Sequence, residues 1–384
     1  MGAQPALLTG HSTATDPVTA VREFHAAVAQ PESALVLFFC SSDYDLDSIA
    51  AEMRLQFDGV NVVGCTSAGE IGPAGYRTGS LCGVSFARAS FAAVTGLIGD
   101  LQHFATEQGQ TLAGELRSKL DAMAPRATGA NAFGFLMIDG LSVREEPVVR
   151  TFHYALGGMP LFGGSAADGL RFGVTHVYHD GRFHRDSAVL TIVATELPFR
   201  AFKTQHYIAE AERLVVTGAD PTRRIVREIN GLPAAEEYAR IMGVPVGELA
   251  PARFATAPVV VIVDGTDYVR SIQQANQDGS LTLYSAIDEG IVLRVARCGD
   301  LFTNLTSAFD SLREEIGPPQ LVIGCDCLYR NLEMAENGLT DRMAAVYQAN
   351  HTVGFSTYGE QYGGVHINQT LTGIAIGAAA ETVD

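Results

Sequence analysis

Three segments of this 384-residue chain repeat one order of elements: an apolar strand, a helix-length stretch, a second short apolar strand and a turn of small residues. The first copy begins at Leu35 and reaches the turn Cys65-Thr-Ser67-Ala-Gly-Glu70. The second begins at Phe133 and reaches Gly163-Gly-Ser165-Ala-Ala-Asp168, and the third begins at Leu321 and reaches Gly354-Phe-Ser356-Thr-Tyr358-Gly-Glu360. Strand and turn are separated by roughly 30 residues, the length a right-handed parallel β-α-β crossover needs. Another alternating strand follows each turn, at 79–86, 187–193 and 370–376. The unit therefore reads β-α-β-turn-β, which predicts an α/β fold of mixed sheets with helices on one face.

Different material separates the second and third copies. Asp220-Pro221 predicts a helix start, with Ile225, Val226 and Ile229 on one face and Asn230-Gly231 as its stop, and a second helix is expected over 233–242. Apolar runs at 258–263, 268–273, 281–287 and 291–296 predict an antiparallel meander, flanked by a helix from about Asp300 to Ile316. Composition shifts near Thr217 to Asp220. That divides the chain into an N-terminal module of residues 1–218 with two copies and a C-terminal module of residues 219–384. The latter holds the helical pair, the meander and the third copy.

Charge and patterning exclude several functions. Against 43 acidic residues stand 26 basic ones, a net −17 that repels phosphate backbones and anionic lipid, so neither nucleic acid nor a membrane is an expected partner. No apolar run is long enough to span a bilayer, and Met1-Gly2-Ala3-Gln4 lacks the basic start of a secretory signal. The six cysteines, Cys40, Cys65, Cys82, Cys298, Cys325 and Cys327, are sparse and mostly sit in strand-like runs, as buried reduced thiols do. A cytoplasmic location is the expectation. Cys325 and Cys327 lack the spacing and the second pair of a zinc knuckle.

Enzymatic motifs fail. Ala167 stands where a nucleophile elbow at Ser165 needs glycine, and neither a P-loop nor a dinucleotide fingerprint is present. Ser165 and Cys65 are the residual nucleophile candidates, with no nearby base motif. Backbone geometry explains the repeated glycines and hydroxyls more simply: close approach, positive φ and capped amides. Were the three turns to converge, Ser67, Glu70, Ser165, Asp168, Ser356, Tyr358 and Glu360 would line one ligand crevice.

The turn residues also carry a resemblance. Cys65-Thr-Ser-Ala-Gly-Glu70 followed by Gly75-Tyr76 resembles the N-terminal signature of the FIST family. Gly354-Phe-Ser-Thr-Tyr-Gly-Glu360 with His366-Ile-Asn368-Gln-Thr370 resembles its C-terminal one, supported by the stretch 231–238 and Tyr268-Val-Arg270. The resemblance covers nearly the whole chain. It implies a non-enzymatic bacterial sensory module that binds a small ligand and modulates a histidine kinase or a cyclic-di-GMP enzyme, with a homodimer compatible with it. Phe152-His-Tyr-Ala-Leu156 leading to Gly163-Gly-Ser-Ala-Ala-Asp-Gly169 looks most like the NosP branch, which implies haem b as cofactor and nitric oxide as signal. The alternative expectation is a FIST module for a small polar metabolite such as an amino acid, without haem.

Haem iron needs an axial donor beside an apolar slot. In Phe202-Lys-Thr-Gln-His206-Tyr-Ile208, alternation places Phe202, Thr204, His206 and Ile208 on one face, making His206 the first metal candidate. His153, beside Val149 and Leu156 on a helix stripe, is the second. His366, alternating with Asn368 and Thr370, suits a polar pocket better than a haem wall. His11, His103, His179 and His184 read as surface residues.

Overall fold

A computed structural model describes residues 5–263 and 266–379, and in it each copy is longer than the sequence repeat indicated. An extra strand and helix open every unit. They are Leu7–Ser12 with Pro17–Val28 in the first, Phe91–Gly99 with Thr106–Met123 in the second, and Phe199–Thr204 with Leu301–Ile316 in the third. The expected crossovers follow, joining the parallel pairs Ser33–Ser41 with Val62–Ser67, Ala132–Ile138 with Leu161–Ser165, and Leu321–Cys327 with Thr352–Thr357. One helix spans each of the first two crossovers, Leu46–Gln56 and Glu145–Leu156. The third carries two, Leu328–Glu336 and Thr340–Ala349.

After each turn the chain forms a short hairpin and then the closing strand, Leu81–Ala87, Ser187–Thr195 or Leu371–Ile376. All three sheets have the same strand order: opening strand, closing strand, the two crossover strands, then a hairpin. That hairpin always comes from another copy. Glu70–Gly72 of the first pairs with Thr352–Thr357 of the third, Glu360–Tyr362 of the third with Leu161–Ser165 of the second, and Val177–His179 of the second with Val62–Ser67 of the first. The three α/β units are thereby laced into a closed ring, which also removes three sheet edges that would otherwise invite foreign strands.

Backbone packing explains one glycine per copy. Gly64, Gly163 and Gly354 face Phe38, Leu136 and Gly324 across the parallel pairs, and a Cβ at each would lie 2.4, 2.1 and 1.9 Å from the facing carbonyl oxygen. Close approach, one of the three reasons anticipated for these glycines, holds at all three.

The inner faces of the sheets share one core. At its centre Phe39 stacks on Phe355 at 4.5 Å and meets Phe135 edge-on at 6.4 Å, so each copy contributes one ring. Outer faces carry the helices. Phe24 and Ile49 cover Phe38, Leu116 and Phe152 cover Leu136, and Leu305 and Tyr347 cover Val322. Every one of these side chains is buried, and each contributes about 1.5–3 kcal/mol. The α/β class and the one-sided helices are as the pattern predicted.

An insertion within the third unit, residues 207–298, builds a separate antiparallel sheet with the helices Ala234–Met242 and Pro251–Thr256. The 233–242 helix lies where expected, and strands form near the expected runs, but not as a meander: Val259–Val263 pairs with Thr266–Arg270 and Ile272–Ala275 with Leu281–Leu283, and these two hairpins lie on opposite sides of Tyr207–Asp220. The helix expected from Asp220 does not form: Pro221–Arg223 is a single 3-10 turn, and Ile225–Ile229 is a strand paired with Tyr207–Asp220. Two local features favoured that outcome. Arg224 takes a left-handed φ of 54°, and Asn230-Gly231, with φ of 54° and 77°, makes a tight hairpin turn rather than a helix stop. The strand Tyr207–Asp220 runs through the 218/219 division. Among the described residues, no helix is long and apolar enough to cross a membrane.

Candidate functional site

The three turns meet at one end of the ring and bond to one another through their backbones. Ala68 N donates to Ser356 O at 3.0 Å and Ser356 N to Gly69 O at 2.7 Å. Ser165 N donates to Gly359 O at 2.8 Å, and Ala167 N to Thr66 O at 3.0 Å. The insertion covers this end: Ala68, Ala167, Tyr358 and Tyr329 share its apolar core. Convergence is therefore real, but the turns touch directly and their centre is filled.

Two of the acidic turn residues are consumed by their own hairpins. Glu70 accepts from Ser67 Oγ, from Ser80 N at 3.0 Å and from Ser80 Oγ at 2.6 Å. Glu360 repeats the pattern with Thr357 Oγ1, Thr370 N at 3.1 Å and Thr370 Oγ1 at 2.7 Å. Both are fully buried. Burial pushes the Glu70 carboxyl up to about 7 and the Glu360 carboxyl up to about 8, against the pull of those donors.

The second turn departs from this. Asp186 N, at the position of Ser80 N and Thr370 N, donates at 2.6 Å to Asp139, a residue the sequence reading did not single out. Asp168 is thereby free for other work. It gathers the amides of Phe172, Gly173 and Val174 at 2.9–3.0 Å and accepts from Tyr358 Oη, so it shapes loop 169–174 and ties it to the third turn. Phe172 sits in that loop at a left-handed φ of 50°, costly for a bulky residue, and rests on Tyr358 with ring centroids 4.9 Å apart.

Where loop 169–174 passes the first turn, it leaves a cleft of about 250 Å³. Ser67, Glu70 and Asp168 line it, three of the seven anticipated pocket residues. At its mouth Arg171 from the loop pairs with Asp43 and Ser42 of the first copy, and the Arg171 and Asp43 side chains are each more than half exposed. Sequence reasoning missed both, because the chain gives no signal that a loop from one copy crosses onto another. Ser165, Ser356, Tyr358 and Glu360 lie behind the cleft in the buried junction.

The nucleophile candidates have no activating partner. Ser165 Oγ accepts from Gln361 Nε2 at 2.9 Å, and Cys65 is fully buried with its thiol pushed up by burial.

The histidines are placed as follows. His206 lies between two strands rather than within one: Phe199–Thr204 ends before it, and Ile208, expected on the same face, is exposed while His206 is buried. Its Nε2 lies 2.8 and 2.9 Å from the Glu333 oxygens. His366 is fully buried, donates no resolved bond through Nε2, and is pushed down to about 4 by burial. A Cβ at Gly359 would sit 2.3 Å from its ring. His153 is half-buried beside Gly364 with its Nδ1 unpartnered. None of the three lines the clefts of about 250–440 Å³ found among the described residues. As placed, these residues do not fit haem: His206 Nε2 is taken by a carboxylate, the His366 ring is hemmed in by the Gly359 backbone, and neither they nor His153 line those clefts. Of the histidines read as surface, His179 is instead buried, with Nε2 3.2 Å from Thr95 Oγ1, and His11 is part-buried against Ser80.

Comparison with protein families gives two matches. Residues 34–232 match the FIST N domain and residues 234–363 match the FIST C domain. No curated protein matches the chain.

Proposed function

We propose, from the premise that this chain belongs to the FIST family, whose domains are sensory modules of signalling proteins, that it senses a small zwitterionic metabolite of the amino-acid class. The carrying observation is the Arg171–Asp43 pair at the mouth of the cleft, which offers a guanidinium and a carboxylate side by side above a polar floor. A zwitterion replaces that pair's mutual contact with two of its own, carboxylate to Arg171 and ammonium to Asp43. The cleft lies just under the roughly 300–1,000 Å³ of sites for drug-sized ligands, which suits a smaller molecule. Binding would hold loop 169–174 against the first copy. Through Asp168, Tyr358 and the covering insertion, it would favour one arrangement of the surface read by a histidine kinase or a cyclic-di-GMP enzyme.

Haem with nitric oxide is the competing proposal, resting on the NosP-like segment 152–169. No step is derived through iron, since the three histidines do not fit it as placed. One sample separates the two. The purified chain is screened by thermal shift against the twenty amino acids and, separately, titrated with haem. A rise in melting temperature with an amino acid, absent in Arg171→Ala, supports the cleft. No response to any amino acid, together with a Soret band shifted from that of free haem, would replace it with the haem reading.

A further inference from the structure

The insertion leaves the third unit at His206 and returns to it at Cys298. These two stalks lie side by side: Tyr207 is paired with Cys298, and Gly299 N donates to His206 O at 2.7 Å. Against them packs the helix Leu328–Glu336 of the third crossover, which presents Glu333. One donor atom each from His206, Cys298 and Glu333 lies within 4.8 Å of the other two. We propose that His206 Nε2, Cys298 Sγ and a Glu333 oxygen form a non-haem site for a borderline-soft divalent cation of the zinc class, clamping the insertion's stalks to the core.

The donor set fits that class. Imidazole, thiolate and carboxylate are the three ligand types zinc accepts, and soft sulfur disfavours magnesium and calcium. Tyr207 Oη, 3.0 Å from Glu333, supports the carboxylate from outside. Charge points the same way. The adjoining buried network holds two carboxylates, Glu333 and Asp326, but a single guanidinium, Arg330, whose Nε bonds Asp326 at 2.6 Å. The guanidinium is thereby committed to Asp326, and Glu333, held by His206 and Tyr207, has no guanidinium of its own, a place an added cation fits. Among the three ligands Cys298 alone is part-exposed, giving the ion and a departing proton a path.

Loading balances as follows. The thiol loses its proton to solvent as the metal–sulfur bond forms. The imidazole stays neutral by carrying its proton on Nδ1 instead of Nε2, and Nε2 donates its lone pair to the metal. Nδ1 then faces Arg330 Nη1, now 3.5 Å away, as one donor faces another. Arg330 must shift toward Asp326, which Tyr347 also bonds at 2.7 Å. Metal at the stalks is thereby coupled to the core helices of the third unit. This site is remote in sequence and chemistry from the Arg171 cleft, so either stands if the other fails.

Cobalt(II) is the probe, titrated into the chelator-treated full chain. The expected result is a sulfur-to-cobalt charge-transfer band in the near ultraviolet with visible bands of a low-coordinate ion, both abolished by zinc. Cys298→Ser should remove the charge-transfer band while leaving the circular dichroism and urea midpoint intact. Glu333→Gln should weaken binding at least about tenfold. No cobalt band in the wild-type chain, or a band that persists in Cys298→Ser, overturns the site. If His206→Ala fails to fold, the Cys298 variant, altering a part-exposed thiol, still decides.

Discussion

The first and third corners of the ring differ from the second in what their acidic residue holds. Glu70 and Glu360 each clasp the start of their own closing strand, through Ser80 in one case and Thr370 in the other, and both are buried, Glu70 at the floor of the cleft. At the second corner Asp139 takes over that clasp, and Asp168 instead organises a loop that reaches the first copy through Arg171, the third turn through Phe172 against Tyr358, and the insertion through Phe172 against Tyr284. A repeated lock stabilises. Where one copy reassigns it, a side chain is released to shape a loop, so the cleft lies beside the corner that breaks the pattern.

The lock itself should give the largest effect. Glu360→Ala strands Thr357 Oγ1 and both donors of Thr370 in a dry interior, and Glu70→Ala strands Ser80 N and removes one partner each from the Ser67 and Ser80 hydroxyls, which keep the Cys40 carbonyl and His11. Each should lower stability by about 3–5 kcal/mol in urea unfolding. A loss under 1 kcal/mol at either corner would mean the carboxylates are not structural locks.

Swapping roles at the second corner tests the reassignment directly. Asp139→Ala removes the bond to Asp186 N and the one from Thr175 Oγ1, and should cost about 2–4 kcal/mol globally. Asp168→Ala should cost less, about 1–2 kcal/mol, with faster amide exchange confined to residues 169–174. Global destabilisation by Asp168→Ala exceeding that by Asp139→Ala would erase the distinction between the corners.

The repeat was legible because its constraints are local. Gly64, Gly163 and Gly354 recur since each backbone passes too close to its parallel neighbour for any Cβ, and the alternating strands recur since each has one face on the shared core. What was not legible is what distant segments decide. Hairpin exchange uses three-residue strands that carry no periodicity of their own. The Asp139 clasp pairs residues 47 positions apart, and Arg171 reaches Asp43 across 128. Ile225 to Ile229 failed in the other direction: a helix-start signal at Asp220-Pro221 was outweighed by a β-branched run with a hairpin turn behind it and a long strand waiting to pair.

Titration separates the corners more gently. The Glu70 and Glu360 carboxyls are raised from an ordinary 4.5 to about 7 and about 8 by burial. The folded chain therefore binds more protons than the unfolded one between those limits. Their contribution is full below pH 4.5 and is lost progressively as pH climbs through 7 and 8. Melting temperature should fall over that span in the wild type. Glu70→Gln with Glu360→Gln, which cannot ionise, should flatten the decline. An unchanged slope in the double variant would place the titrating groups elsewhere.

The smallest effect on stability should come from Arg171→Ala. Its ion pair with Asp43 is more than half exposed on both sides, and such pairs contribute about 0–1 kcal/mol because water screens them and two long side chains must be held still. The same substitution removes the only cation among the side chains lining the cleft, so binding of an amino acid should weaken by at least about tenfold, as losing a charged hydrogen bond does. This pairing of a silent melting curve with a lost titration is what separates a ligand contact from a structural one. At the first and third corners the reverse should hold, with Glu360→Ala moving the unfolding curve far and leaving amino-acid binding by the folded chain unchanged. If Arg171→Ala instead destabilised as much as Glu360→Ala, the exposed pair would be a clasp like the others, and the second corner would be a third lock rather than a binding site.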